Sequence, residues 1–440
     1  MSRILGIELR RSAALGTALA LLVVGVVLLF FAEGISFATG WMQLAMTQRL
    51  YLAVLWPLAL AAGAWQARRE HRSNVAELFA STPRPRSHRT MPTLGAMAVA
   101  VVFGYLLVGL AGGLWIIDTA RYLPMSVFVV VAVGALSLVA AAWLGLAIGR
   151  LLPSLVTAPA LGVAGLGLLL VIPGATRPRG WLALVFSPIY EMNMPDAYAT
   201  VPAQVSLAQA LWLAALAVTA VILYASSGWR LRVAAVLPVV VGAALAIMVM
   251  PHQERVVNSA IDPVARELVC TEDEPRVCVS RVHGQLLPEV TPQAREGLAV
   301  LAKLPGAPTQ VHEDTTTYSP EVTPPQRDDV VLLRVEAGSD GHLKDRADVK
   351  AAVVSGAFAS PAGCEKAAGL AERLAAGYWL MGREPVAGET SEPTIIAEAT
   401  ELWRSLRQLP AGEATARVVA LRRTAGTCSV DEGPLSGGKR

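Results

Sequence analysis

Residues 13–32 read AALGTALALLVVGVVLLFFA, an unbroken stretch with no charged side chain. Its length decides the class of fold. A helix rises about 1.5 Å per residue, so about 20 apolar residues cross the roughly 30 Å hydrocarbon core of a bilayer, where no water satisfies a bare backbone. Arg3, Arg10 and Arg11 precede the stretch as in a secretory leader. The apolar run nevertheless exceeds the roughly 7–15 residues of a leader's core. It reads as a retained membrane helix.

Six more stretches of this kind follow, at about 50–66, 93–117, 125–149, 154–174, 206–226 and 233–250, none with Asp, Glu, Lys or Arg inside its apolar run. The 154–174 stretch, with Pro159 and the Gly162, Gly165 and Gly167 series, is the one expected to bend. The chain as a whole has 440 residues, 54% hydrophobic and only 16% charged, against about 25% charged in soluble domains. A wholly soluble globular protein is thereby excluded. Charge is also unevenly placed. Sixteen Arg and seven acids give residues 1–250 a net of +9, leaving 21 bases and 27 acids, or −6, for residues 251–440. The expected architecture is an α-helical polytopic membrane protein of about seven transmembrane helices (1–250), followed by a soluble α+β extracytoplasmic domain (251–440).

Orientation follows from the bias of Arg toward cytoplasmic loops. With the N-terminus inside, the inner segments hold Arg3, Arg10, Arg11, Arg68, Arg69, Arg72, Arg84, Arg86, Arg89, Arg150, Arg230 and Arg232, while Arg49, Arg121, Arg177 and Arg179 fall to outer loops. Twelve against four places the protein in the cell membrane with residues 251–440 outside. All four cysteines, Cys270, Cys278, Cys364 and Cys428, lie in that outer part, where disulfides persist. Three pairings are open. The favoured one joins Cys270 to Cys278 across the turn-rich TEDEP and Cys364 to Cys428, tying the C-terminal tail to a helix.

The longest basic loop, residues 67–92, reads ARREHRSNVAELFASTPRPRSHRTMP. Val75, Leu78 and Phe79 share one face of a short helix, which Pro83 and Pro85 must end near Ser81. Glu70 to Arg86 resembles the loop between the second and third helices of ABC-2 type transporter permeases, and ILGIELRRSAA (4–14) is similar to that family's N-terminal helix along the cytoplasmic face. The resemblance covers roughly 1–250, with a seventh span beyond the family's usual six. It implies the permease subunit of an ABC-type exporter, with an ATPase subunit docking on Glu70, Arg72, Glu77, Leu78, Phe79, Thr82, Pro83 and Arg84. It also implies a second permease copy or a related permease, as a homo- or heterodimer. By the same resemblance, Ser187, Pro188, Tyr190 and Glu191, in the apolar 181–190 stretch too short to cross, border an outer gate.

No GxxxxGK[ST] phosphate loop is present, so this chain is not expected to be an enzyme. ATP is expected on the partner, with no cofactor or metal here and no nucleic-acid partner. In the outer domain there is no HExxH and no GxSxG. His312-Glu313-Asp314 reads as a solvated loop. A large domain on a multi-span anchor suits a second class, a membrane-anchored receptor or regulatory protein whose external domain binds a ligand.

Overall fold

The computed structural model describes residues 13–32, 34–68, 86–189, 195–226, 228–253, 260–316, 327–344, 346–361, 363–386, 392–430 and 435. The chain divides into two compact units, Met1–Asp262 and Pro263–Arg440.

The first unit is a helical bundle. Its long elements are α1 (Ala14–Phe31), the bent pair α2 (Trp41–Leu50) and α3 (Leu52–Ala67), α4 (Arg86–Ile116), α5 (Ser126–Leu151) and α6 (Thr157–Ala175). A short α7 (Gly180–Phe186) precedes α8 (Ala203–Ala225), and α9 (Trp229–Ala234) runs into α10 (Val236–Val249). Six helices among the described residues are long and apolar enough to cross a membrane, or seven if the bent pair is one span. This is a mostly helical unit with helices of the length and apolarity that cross a membrane. Apolar residues of α1 and α6, such as Leu19, Val23, Val163 and Leu170, stay exposed on the outside of the bundle, as a lipid solvent allows.

Two expectations are corrected. The 154–174 stretch is not broken: α6 is one continuous helix, and its Pro159 sits in the first turn, where the missing N–H has no helical acceptor to lose. The 51° break lies instead in the second span, between α2 and α3 at Tyr51. Counted with α3 as one span, α2 starts it at Trp41, nine residues before the apolar run at 50–66.

Glycines set the tightest contact. A Cβ on Gly145 of α5 would stand 2.0 Å from Leu60 O, and one on Gly63 of α3 would stand 2.1 Å from Ala142 O. The two helices touch backbone to backbone, which is how small residues pack helices where the surroundings are as apolar as the side chains. These glycines are consumed inside the chain and mark no face for a second copy.

In the second unit β1 (Leu268–Cys270) pairs antiparallel with β2 (Val277–Ser280), and β3 (Gln310–Glu313) and β4 (Val330–Leu333) extend the sheet in parallel. Helices α11 (Leu287–Leu301), α12 (Val349–Gly356), α13 (Leu370–Met381), α14 (Pro393–Gln408) and α15 (Ala411–Gly426) complete it. Val277, Val279, Val311, Val331 and Leu333 meet Leu298, Leu301, Val353 and Val354 in one core. Disulfides join Cys270 to Cys278, which are register partners, and Cys364 to Cys428. Helix α13 starts at Leu370. Lys366 pairs with Ser429 in a parallel bridge beside the second disulfide.

Candidate functional site

Helix α2 is unusual in being buried on every side: Met42 through Arg49 are all buried, although four of them, Gln43, Thr47, Gln48 and Arg49, are polar or charged. Arg49 is 0% exposed. The sequence reading put it in a loop and all charge outside the spans. In the structure Arg49 lies in helix α2, two residues before the break at Tyr51, so it is not in a loop, and it is buried within the bundle. A cation buried in such a bundle is costly and needs partners close by.

Those partners lie on the segment read as an outer gate. Helix α7 is only seven residues long; at Ser187 the backbone turns extended, and Ser187, Pro188 and Ile189 are buried. Irregular backbone inside an apolar bundle is tolerable only where protein groups satisfy its carbonyls. Here side chains do so. Arg49 Nη2 donates to Pro188 O at 2.8 Å and to Gln209 Oε1 at 2.7 Å. Gln209 of α8, also 0% exposed, turns its Nε2 to Leu184 O at 2.9 Å and Ser187 O at 3.3 Å. Gln43 Nε2 spans Asp196 O (3.0 Å) and Ala197 O (2.8 Å) further along the same loop. Three side chains thus satisfy five carbonyls of one connection, and Arg49 also grips Gln209.

A second polar link ties α2 to α4. Gln48 Nε2 donates to Tyr105 O at 2.5 Å, and the lack of a side chain on Gly109 makes room, since a Cβ there would be 2.9 Å from Gln48 Oε1. Tyr105 is eleven residues from the end of α4 at Ile116, or about 16 Å of helix, so this contact is near the middle of a span. At the end of the bundle carrying the loops, Trp41 Nε1 donates to Ala120 O at 2.7 Å, and Asp196 accepts from Tyr198 N at 2.8 Å. Partial burial raises the Asp196 carboxyl despite its bonds from the Tyr198 and Ala199 amides.

Of the site residues read from the sequence, Ser187 and Pro188 are brought to Arg49 and Gln209, whereas Tyr190 and Glu191 lie outside the described residues. All eight docking positions, Glu70, Arg72, Glu77, Leu78, Phe79, Thr82, Pro83 and Arg84, also lie outside them. Sequence reasoning missed Gln43, Gln48, Arg49 and Gln209. The available signal was the cluster of Gln43, Thr47, Gln48 and Arg49 between Trp41 and an apolar run.

In the second unit His312-Glu313-Asp314 is not a solvated loop. His312 and Glu313 belong to β3, and Glu313 is 3% exposed, because it closes a buried polar knot. Its Oε1 lies 2.6 Å from His283 Nδ1, and its Oε2 accepts from Ser280 N at 2.7 Å. Ser280 Oγ lies 3.2 Å from the same Nδ1. A nucleophilic triad needs serine and acid on opposite ring nitrogens and an open face. With both groups on one nitrogen and all three residues buried, this trio braces the sheet.

Nearer the surface, Glu289 of α11 takes His342 Nδ1 at 2.7 Å, Arg346 Nη2 at 2.6 Å and Leu343 N at 3.1 Å. Burial works against its charge, but these bonds and the Arg346 cation hold its carboxyl down at about 2. No group of three His, Cys, Asp or Glu among the described residues is arranged to hold a metal. No family model, no curated protein and no solved structure matches the chain.

Proposed function

We propose that the chain is the permease subunit of an ABC-type exporter, in which the 180–189 segment is the movable gate of the pathway and Arg49 with Gln209 is its latch. The observation that carries this reading is a seven-residue helix, α7, that gives way to buried extended backbone at Ser187 and is held by side chains from two different helices. Broken helices and buried polar groups gather where membrane transporters open and close. A purely structural bundle would fill the same space with a continuous apolar helix.

Sidedness is part of the proposal. With Arg49 moved from the loops into the bundle, the outer loops keep three Arg (four minus one) against twelve inside, which favours a cytoplasmic N-terminus. The gate then faces outward, and the disulfide-bonded second unit is extracytoplasmic. The basic 67–92 loop lies inside, where its likeness to a coupling loop calls for a separate ATPase. A second permease completes the pathway.

The test is association. The full chain is purified from its native membrane and the co-purifying polypeptides are identified. Expected is an ATP-hydrolysing subunit that stays with the wild-type chain and is lost with Glu77→Arg or with Leu78→Asp plus Phe79→Asp. Recovery of the intact chain with no ATPase, or an ATPase bound equally by these variants, contradicts the reading.

A further inference from the structure

The second unit holds a cleft of about 580 Å³, within the roughly 300–1,000 Å³ of small-molecule sites. Its walls are the Leu304-Pro305-Gly306 turn with Pro308, the Val330 and Leu332 side of β4, the 356–361 segment, and the end of α15. Val330 and Leu332 alternate with Val331 and Leu333, which are buried in the core. The sheet therefore turns apolar side chains to the cleft, and Leu332 remains 39% exposed.

The charges around it can be counted. Arg327 is taken by Asp329 through two bonds, at 3.0 and 2.5 Å. Arg422 and Arg423 of α15 remain, against Asp328: two positive minus one negative leaves +1. Arg422 is steered by the carbonyls of Pro305 and Gly306, and Arg423 is exposed on the rim with no ion pair among the described residues. Both hydroxyls already have a partner within the protein. Ser360 Oγ accepts from Ala368 N, while Thr427 Oγ1 donates to the Arg423 and Thr424 carbonyls and lies 2.7 Å from Ser429 Oγ. A sugar or other neutral polyol finds few free partners here. An apolar body with one anionic head matches both the walls and the residual charge.

We propose that this cleft binds an acyl carboxylate, with its chain against Leu304, Val330, Leu332 and Val419 and its carboxylate on Arg422 and Arg423. The site goes beyond the permease reading and stands without it. Two variants separate charge from space. Arg423→Gln removes an exposed cation. Gly426→Leu grows into the opening, because a Cβ on Gly426 meets nothing within 4 Å.

The full chain in phosphatidylcholine nanodiscs is photolabelled with diazirine-bearing palmitate, and the labelled peptides are mapped. The disulfide-bonded state of each variant is checked by the lack of maleimide-reactive thiols. Expected is label on peptides covering 304–308, 356–361 or 419–427, displaced by palmitate but not by hexadecanol. Arg423→Gln should weaken that displacement about tenfold, the scale of one charge-assisted hydrogen bond, and Gly426→Leu should abolish the label. Label confined to the membrane helices, equal displacement by hexadecanol, stronger displacement by a short apolar peptide acid, or label unchanged in both variants would overturn the proposal.

Discussion

Arg49 and Gln209 do the work that water does for a loop at the surface. Replacing Arg49 by Leu strands Pro188 O and Gln209 Oε1, and each buried acceptor left without a donor costs about 1–3 kcal/mol. Replacing Gln209 by Leu strands Leu184 O and Ser187 O and takes one acceptor from a buried cation, a worse position than losing the cation itself. Denaturant unfolding of the nanodisc-embedded protein should therefore rank Gln209→Leu below Arg49→Leu. The double variant should lose less than the sum, since the two side chains share one network. Additive losses, or none, would mean that the 187–189 backbone is satisfied by other groups. These residues were hard to read from the sequence for a definite reason. An Arg followed by Leu-Tyr and then an apolar run looks like the edge of a span, and only the position of residues 184–188 shows why it is an interior one.

At the scale of elements, most of the bundle was legible. Stretches such as 13–32 and 125–149 are apolar for their whole length, and α1 and α5 occupy nearly those positions. What escaped was α2. A helix buried on all sides but carrying Gln43, Thr47, Gln48 and Arg49 is too polar to stand out by itself, so the second apolar run was read as starting only at residue 50. The bend was sought at Pro159 because proline breaks helices, yet a proline in a first turn costs nothing. In the second unit both disulfides were legible; the burial of Glu313 was not, because its partner His283 lies thirty residues away. The α3–α5 contact makes a sharper demand. Gly145→Val must push α5 off the Leu60 carbonyl, an overpacking cost of about 1–3 kcal/mol or more. Gly167→Ala, with open space around its site, should leave stability level or slightly higher. Thermal unfolding of the two variants reads the difference, and equal midpoints would refute the backbone contact.

The two units differ in what they expose. The first exposes apolar helices and hides its polar groups; the second has its own core, two disulfides and charged surface pairs such as Arg404–Glu384. That division matches the sequence's charge asymmetry. It also makes a direct experiment simple, because no cysteine among the four is free and a single introduced thiol reports alone. Ser187→Cys in native membranes, treated with a membrane-impermeant maleimide from outside, tests the latched gate directly. Labelling should be slow at rest, faster when ATP is supplied to the cytoplasmic side, and fast without ATP once Arg49→Gln is added. Labelling that is equally rapid in all three conditions, or that ignores both ATP and Arg49, would contradict the gate and its latch.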